Sequence, residues 1–138
     1  MYLIDTNVIS ELRKGDGCDS RVAAWYGGVR DEELYLSVLV VGEIRQGIER
    51  LRGRSSARAR ALENWLAAVI EAFGPRLLPV DHGVAEVWGR FGARGIFPVV
   101  DALLAATAQA HGLTLVTRNV KDIRGSGVRC LNPFQFAG

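Results

Sequence analysis

The hydrophobic pattern of the chain alternates between short apolar runs and longer segments of helical periodicity. Short apolar runs predict strands, and apolar residues spaced by three and four predict amphipathic helices. A chain that alternates strand and helix folds into a parallel sheet covered by helices. We therefore predict an α/β protein, a three-layer α/β/α sandwich with a central parallel sheet.

This pattern predicts five strands and six helices. The strands are expected at 2–4, 34–37, 77–80, 113–117 and 128–131, the last at an edge of the sheet. The helices carry their apolar residues at 8–12, 21–26, 40–51, 62–73 and 84–91, and a sixth runs from Pro98 to His111. Expected N-caps are Asp5, Asp81 and either Ser55 or Ser56, and Gly74 with Pro75 ends the longest helix.

Length and composition limit the classes of protein to which the chain can belong. At 138 residues, positions 1–138 are expected to form a single domain, and 49% hydrophobic with 23% charged residues argues against a disordered chain. No segment approaches the ~20 apolar residues that a bilayer requires, so no membrane span is expected. The first five residues, Met1 to Asp5, carry no basic leader, and we predict a cytoplasmic protein.

The two cysteines, Cys18 and Cys130, lie far apart and form no Cys-x-x-Cys motif. Neither a disulfide framework nor a cysteine zinc site is expected, and we predict that both thiols are unpaired.

Four acidic residues follow or lie near the carboxyl ends of predicted strands, where ligands of parallel sheets bind. Asp5 ends the first strand, and Glu43 lies about two turns into the helix after the second. Asp101 interrupts an apolar helix, and Asp122 follows the strand at 113–117. Because they come from distant parts of the chain, the set predicts one acidic site at one edge of the sheet.

Each acid taken alone also has an ordinary structural explanation. Asp5 can cap a helix, and Asp101 lies in a first helical turn, where the macrodipole favours a carboxylate. Glu43 can pair with Arg50 or Arg45 at a solvated edge, and Asp122 can be a turn residue.

Carboxylates gathered within a few ångströms repel one another unless their pKa values rise or a cation neutralises them. Oxygen-only ligands favour Mg²⁺ or Mn²⁺ over zinc, and His82 and His111, at a helix start and a helix end, suit capping or surface roles better than metal binding. A carboxylate-held metal can activate water and screen a phosphodiester. The pattern therefore predicts phosphodiester hydrolysis.

Short polar residues stand beside these acids in the sequence: Thr6, Asn7, Thr117 and Asn119. They can hold a water molecule or a phosphate at the site, or they can serve as helix and turn caps.

Basic residues are concentrated between positions 45 and 60, where six arginines accompany a single acid, Glu49. A nuclease needs such charge, because phosphates are attracted before they are cut. Candidate contacts to an RNA backbone are Arg45, Arg50, Arg52 and Arg118. The alternative for the segment is a solvated helix face in an arginine-rich chain.

Four segments together resemble PIN-domain ribonucleases. They are Met1–Leu12 (MYLIDTNVISEL), Val41–Ile44 (VGEI), Val100–Ala108 (VDALLAATA) and Leu115–Asp122 (LVTRNVKD). The likeness is strongest to VapC-type toxins, including the FitB-like branch, and it covers essentially the whole chain in order and spacing.

The resemblance implies a PIN-like α/β/α sandwich and an Mg²⁺- or Mn²⁺-dependent endoribonuclease. Asp5, Glu43 and Asp101 match its acidic core, and Asp122 matches a fourth, more variable acid. Asn119 stands where many relatives carry an additional aspartate, so either Asn119 or Asp122 completes the site. The family further implies a homodimer silenced by a VapB-type antitoxin that binds operator DNA as part of the complex.

Three other classes of protein are compatible with parts of the pattern. Haloacid-dehalogenase-like phosphatases need a second aspartate where this chain has Asn7, and response-regulator receivers need adjacent acids where it has Thr6. A PIN-like module with an idle site, binding RNA or protein without cleaving it, is the third.

Overall fold

Five short strands form one parallel sheet in the computed structural model, which describes residues 1–138. They are β1 (Tyr2–Ile4), β2 (Leu34–Ser37), β3 (Leu77–Leu78), β4 (Thr114–Val116) and β5 (Cys130–Leu131). Their order is β3-β2-β1-β4-β5, and each neighbouring pair is parallel. The predicted parallel sheet, with the last strand at an edge, is confirmed.

Six helices cover this sheet. They are α1 (Thr6–Leu12), α2 (Ser20–Gly27), α3 (Val38–Arg52), α4 (Ser56–Phe73), α5 (His82–Phe91) and α6 (Val99–Ala110). The chain moves outward from β1 through β2 to β3 and then returns past β1 to β4. Because crossovers between parallel strands are right-handed, this reversal places α1–α4 on one face and α5 and α6 on the other. The three-layer α/β/α architecture follows.

Helix starts and stops fall where the sequence predicts them. The side chains of Asp5, Ser55 and Asp81 each accept a hydrogen bond from a backbone N–H in the first turn of the helix that follows. Gly74 ends α4 at a φ of 52°, which glycine adopts without steric cost. Ser37 is an additional cap, because its hydroxyl accepts from Leu39 N at the start of α3.

Three strands are shorter than the apolar runs that predict them. β3 ends at Leu78 because the next residue, Pro79, has no N–H to donate to a neighbouring strand. β5 begins only at Cys130, since the Val128 N–H donates to the Ser126 hydroxyl at 3.3 Å instead of to the sheet. β4 covers Thr114–Val116 rather than 113–117.

The core is one continuous cluster of 27 buried apolar residues between the sheet and its helices. Leu3 of β1 and Leu115 of β4 are paired in register at its centre, and both are almost completely buried. Cys18 and Cys130 are both free thiols, as predicted. None of the six helices combines the length and apolarity that a bilayer crossing demands.

We expect Leu3→Ala to lower the free energy of unfolding by about 2–5 kcal/mol, because it leaves a cavity in the centre of the core. Val99→Ala, at a side chain with 62% exposure, is the control and should change it by less than about 0.5 kcal/mol. Urea unfolding followed by circular dichroism measures both, and equal stability of the two variants would contradict this assignment of the core.

Candidate active site

The strand order reverses at β1, so that β2 and β4 lie on either side of it. In open α/β sheets, such a switch point leaves a crevice beyond the carboxyl ends of the strands, because the connecting helices depart to opposite faces. Asp5 follows β1 directly, and Thr117 follows β4. The candidate site is therefore built on the central strands of the sheet.

Asp5 is a buried carboxylate that three donors hold in place. Its Oδ1 accepts from the Thr6 backbone N–H at 2.7 Å, and its Oδ2 accepts from the Thr117 hydroxyl at 2.7 Å. The Asn7 amide adds a longer contact to Oδ2 at 3.4 Å. Only 5% of Asp5 is exposed, so these hydrogen bonds replace most of the water that a free carboxylate would bind. Asp5 thus caps α1, which is the structural role that the sequence also allowed, and it lies in the crevice as well.

Glu43 reaches the same place from α3. Its Oε1 accepts from the Thr6 hydroxyl at 2.6 Å, and through Thr6 it is linked to the Asp5 carboxylate. No arginine pairs with Glu43, because Arg45, two residues on, bonds to Glu63 instead. The ion-pair explanation for Glu43 is therefore wrong for this structure. Its Oε2 has no protein donor and is available to a water or an ion.

Asp101 lies in the first turn of α6 and receives the negative field of the other three acids. Burial first, then the charges of Asp5, Asp122 and Glu43, raise the pKa of Asp101 to about 6. A hydrogen bond shared with Asp122 contributes in the same direction, since it favours the protonated form. The four predicted acids therefore lie close enough to interact at one site.

Short polar residues connect the acids. The Thr117 hydroxyl, which donates to Asp5, also accepts from the Asn119 backbone N–H at 3.0 Å. Asn7 of α1 also binds the segment after β4, because its Oδ1 accepts from the Arg118 backbone N–H at 3.1 Å. Thr6, Asn7 and Thr117 thus contribute side chains to the site. Asn119 contributes its backbone N–H, whereas Asp122 contributes a negative charge that helps to raise the pKa of Asp101.

The candidate RNA contacts divide into two groups. Arg45 and Arg52 are engaged with Glu49 and Glu63 in an exposed ion-pair network between α3 and α4. Arg50 is exposed and has no acidic partner. Arg118 lies beside the acids and stacks its guanidinium over the ring of Phe134 at 3.7 Å. The sequence offered no sign of this stacking, because the two residues are 16 positions apart in separate elements.

The donors at this site are carboxylate and hydroxyl oxygens, which is the chemistry that Mg²⁺ or Mn²⁺ prefers. In this conformation no three Asp, Glu, His or Cys side chains meet at one point to enclose an ion. Magnesium usually takes one or two protein carboxylates and keeps several waters. Burial and the neighbouring negative charges together raise the pKa of Asp101, and a bound cation would offset both by stabilising the ionised carboxylate. The donor set therefore fits such an ion.

Comparison with known proteins agrees with this geometry. The family model described as PIN domain matches residues 2–124. The chain belongs to the PIN-domain family. This PIN domain is 33% identical, over 143 residues, to "VapC ribonuclease Y4jK" of Sinorhizobium fredii, with 99% of this chain and 100% of that protein covered. It is 31% identical, over 141 residues, to "Toxin FitB" of Neisseria gonorrhoeae, with 97% and 99% covered.

Solved structures extend the likeness to three dimensions. The crystal structure of FitAcB from Neisseria gonorrhoeae matches this PIN domain with a TM-score of 0.89 at 31% identity, covering 99% of this chain and 100% of that one. The structure of VapBC2 from Rickettsia felis, bound to a DNA fragment from their promoter, has a TM-score of 0.72 at 20% identity and covers 95% and 97%. At that identity the second likeness concerns the fold alone.

We expect Thr117→Val to lower the free energy of unfolding by about 1–3 kcal/mol, because a buried carboxylate oxygen of Asp5 loses its short hydrogen bond and the Asn119 N–H loses its side-chain acceptor. Thr117→Ser keeps the hydroxyl and should retain most of the stability. Urea unfolding compares the two, and a serine variant as unstable as the valine variant would contradict a role for the hydroxyl.

Proposed function

We propose that this PIN domain is an endoribonuclease toxin that hydrolyses RNA phosphodiester bonds with the help of Mg²⁺ or Mn²⁺. The observation that carries the proposal is the convergence of Asp5, Glu43, Asp101 and Asp122 at the switch point of the sheet, where burial and the charges of the other three acids raise the pKa of Asp101. The names of the relatives, a VapC ribonuclease and a FitB toxin, support the same activity. The whole of residues 1–138 acts as one nuclease domain in this proposal.

In this proposal each acid has a role that follows from its surroundings. Asp5 and Asp101 would hold the metal ion, because Asp5 is fixed by three donors and the ionised form of Asp101 is destabilised by burial and by neighbouring negative charge. Glu43 and Asp122 position or deprotonate the attacking water, since Oε2 of Glu43 has no protein donor and Asp122 is exposed to solvent. Thr6 and Thr117 orient the carboxylates, and Asn7 and Asn119 hold the turn after β4 beside them.

The bound metal would lower the pKa of water and screen the negative phosphodiester. The residues of the chain then complete the step. A carboxylate takes the proton of the attacking water, the water oxygen bonds to phosphorus in line, and the bond from phosphorus to the 3′ oxygen breaks. The products would carry a 5′-phosphate and a 3′-hydroxyl, and the leaving 3′ oxygen takes up a proton.

The relatives support a proposal about the partners of this chain. The two similar structures at 31% and 29% identity are titled FitAcB and FitAB, the second bound to a DNA fragment. We propose that a VapB-type antitoxin neutralises the chain and that the complex binds DNA. We further propose that the chain forms a homodimer in the cytoplasm, and light scattering of the purified protein measures its mass.

We expect Asp101→Asn and Asp5→Asn each to reduce RNA cleavage by at least about 100-fold, because each removes a carboxylate that holds the metal or its water. Asp16→Asn is a matched control, since Asp16 is exposed and is not among the acids that act on Asp101, and it should cleave like the wild type. The assay is electrophoresis of a labelled RNA with purified, antitoxin-free protein. Undiminished cleavage by the Asp5 and Asp101 variants would refute the assignment.

Removal of divalent cations with EDTA should abolish cleavage, and excess Mg²⁺ or Mn²⁺ should restore it. Sequencing of the released ends should find 5′-phosphates. A wild-type protein that binds RNA but leaves it intact under every metal tested would support the idle module instead of the nuclease.

A further inference from the structure

A polar cavity of about 550 Å³ opens beside the acidic site, on the β4–β5 side of the sheet. Asp122 belongs to its wall, so the cavity adjoins one of the four acids. The other charged residues of the wall are all basic: Arg118, Lys121 and Arg124. Asn119, Asn132 and Gln135 add amide groups. A wall of cations and amides suits a polar, negatively charged ligand.

These three cations are free to bind such a ligand. Arg118, Lys121 and Arg124 are all exposed, and none of them lies within 4.0 Å of a carboxylate oxygen. Arg118 is also held in place, because its guanidinium stacks on the buried ring of Phe134. A cation that is ordered before binding loses less side-chain entropy when it meets a phosphate.

The cavity continues along the surface past Arg124. A second cavity of about 460 Å³ shares Val120, Arg124 and Cys130 with the first and ends at Arg129. Arg129 is fixed in turn by a hydrogen bond from its guanidinium to the Gly112 carbonyl at 3.1 Å. The two cavities form a groove that leads from Asp122 along the edge strand. We refer to this groove, with its cations Arg118, Lys121, Arg124 and Arg129, as the edge track.

The arginines of α3 and α4 are placed differently. Arg52 lies nine residues beyond Glu43 on α3, which at helical rise is about 13 Å from it along the axis. Arg45 and Arg52 are also occupied by Glu49 and Glu63. This face is basic but leads away from the acids, whereas the edge track begins at one of them.

We propose that the edge track binds the backbone of single-stranded RNA next to the bond that is cut. The inference rests on the proposed ribonuclease function and adds to it the surface that positions the substrate. Arg118, Lys121 and Arg124 contact successive phosphates, and Arg129 extends the track by a further contact. The amides of Asn119 and Gln135 face the ribose or base edges of the same strand.

The test compares two double variants that remove the same charge from different faces. Lys121→Ala/Arg124→Ala removes two cations of the edge track, and Arg58→Ala/Arg60→Ala removes two exposed, unpaired arginines of α4. Binding of a fluorescein-labelled single-stranded RNA is measured by anisotropy in EDTA, so that no cleavage intervenes. The track variant should bind the RNA at least about tenfold more weakly near 0.1 M salt. The slope of log K against log salt concentration should also become shallower by about 1.4, because each lost phosphate contact removes about 0.7 from it.

The control variant should stay within about threefold of the wild type, and all proteins should show the same circular dichroism. An equal loss of RNA affinity in both variants, or no loss in the track variant, overturns the proposal that the edge track binds RNA. Unchanged RNA affinity is also the outcome expected if the groove serves a protein partner, and it overturns the proposal equally.

Cleavage of the same RNA with Mg²⁺ is followed in parallel to separate the two proposals. The track variant should raise KM and leave kcat near the wild-type value, because it loses substrate contacts and keeps the four acids. A wild-type protein that binds through the track and never cleaves refutes the ribonuclease function. A wild-type protein that cleaves, together with a track variant of unchanged affinity and KM, refutes the track alone.

Discussion

The hydrogen bonds that hold the Asp5 carboxylate connect the sheet to the rest of the cleft. Thr6 and Thr117 each donate to it at 2.7 Å, and these two residues follow β1 and β4. The same Thr6 binds Glu43 of α3, so three elements distant in sequence meet through one buried carboxylate. Since an unpaired buried charge is very costly, this arrangement fixes where β4 and α3 lie relative to β1.

The elements of this fold are predictable from sequence because each is decided locally. Apolar periodicity defines the six helices, and Asp5, Ser55 and Asp81 mark their starts through short hydrogen bonds to the next turn. Strand ends are less predictable, since they depend on competing partners. The Val128 N–H, for example, is taken by Ser126, and no hydrophobic pattern records that. Strand order is also a tertiary property, which the alternating pattern leaves open.

The candidate site was predictable to the extent that strand ends converge. Acids that follow the neighbouring strands β1 and β4 are brought to the same edge of the sheet. Here they are Asp5 and Asp122, whose charges both act on Asp101. The arginines were less predictable, because a guanidinium serves either a phosphate or a nearby carboxylate. Arg45 and Arg52 lie where Glu63 of a different helix reaches them, and that contact depends on how α3 packs on α4. The number of arginines in a segment of the sequence therefore overstates how many of them are free to bind a phosphate.

The solvent exposure of the four acidic side chains increases from one end of the site to the other. Asp5 is buried at the inner end, Glu43 and Asp101 are half-buried, and Asp122 is exposed at the rim. A polyanion cannot approach through the buried end, and the negative field of the acids repels it unless compensating cations lie along its path. Free cations of this kind adjoin the rim at Arg118, Lys121 and Arg124. In the proposed function, the segment after β4 therefore supplies both the fourth acid and the cations that attract the phosphates of the substrate.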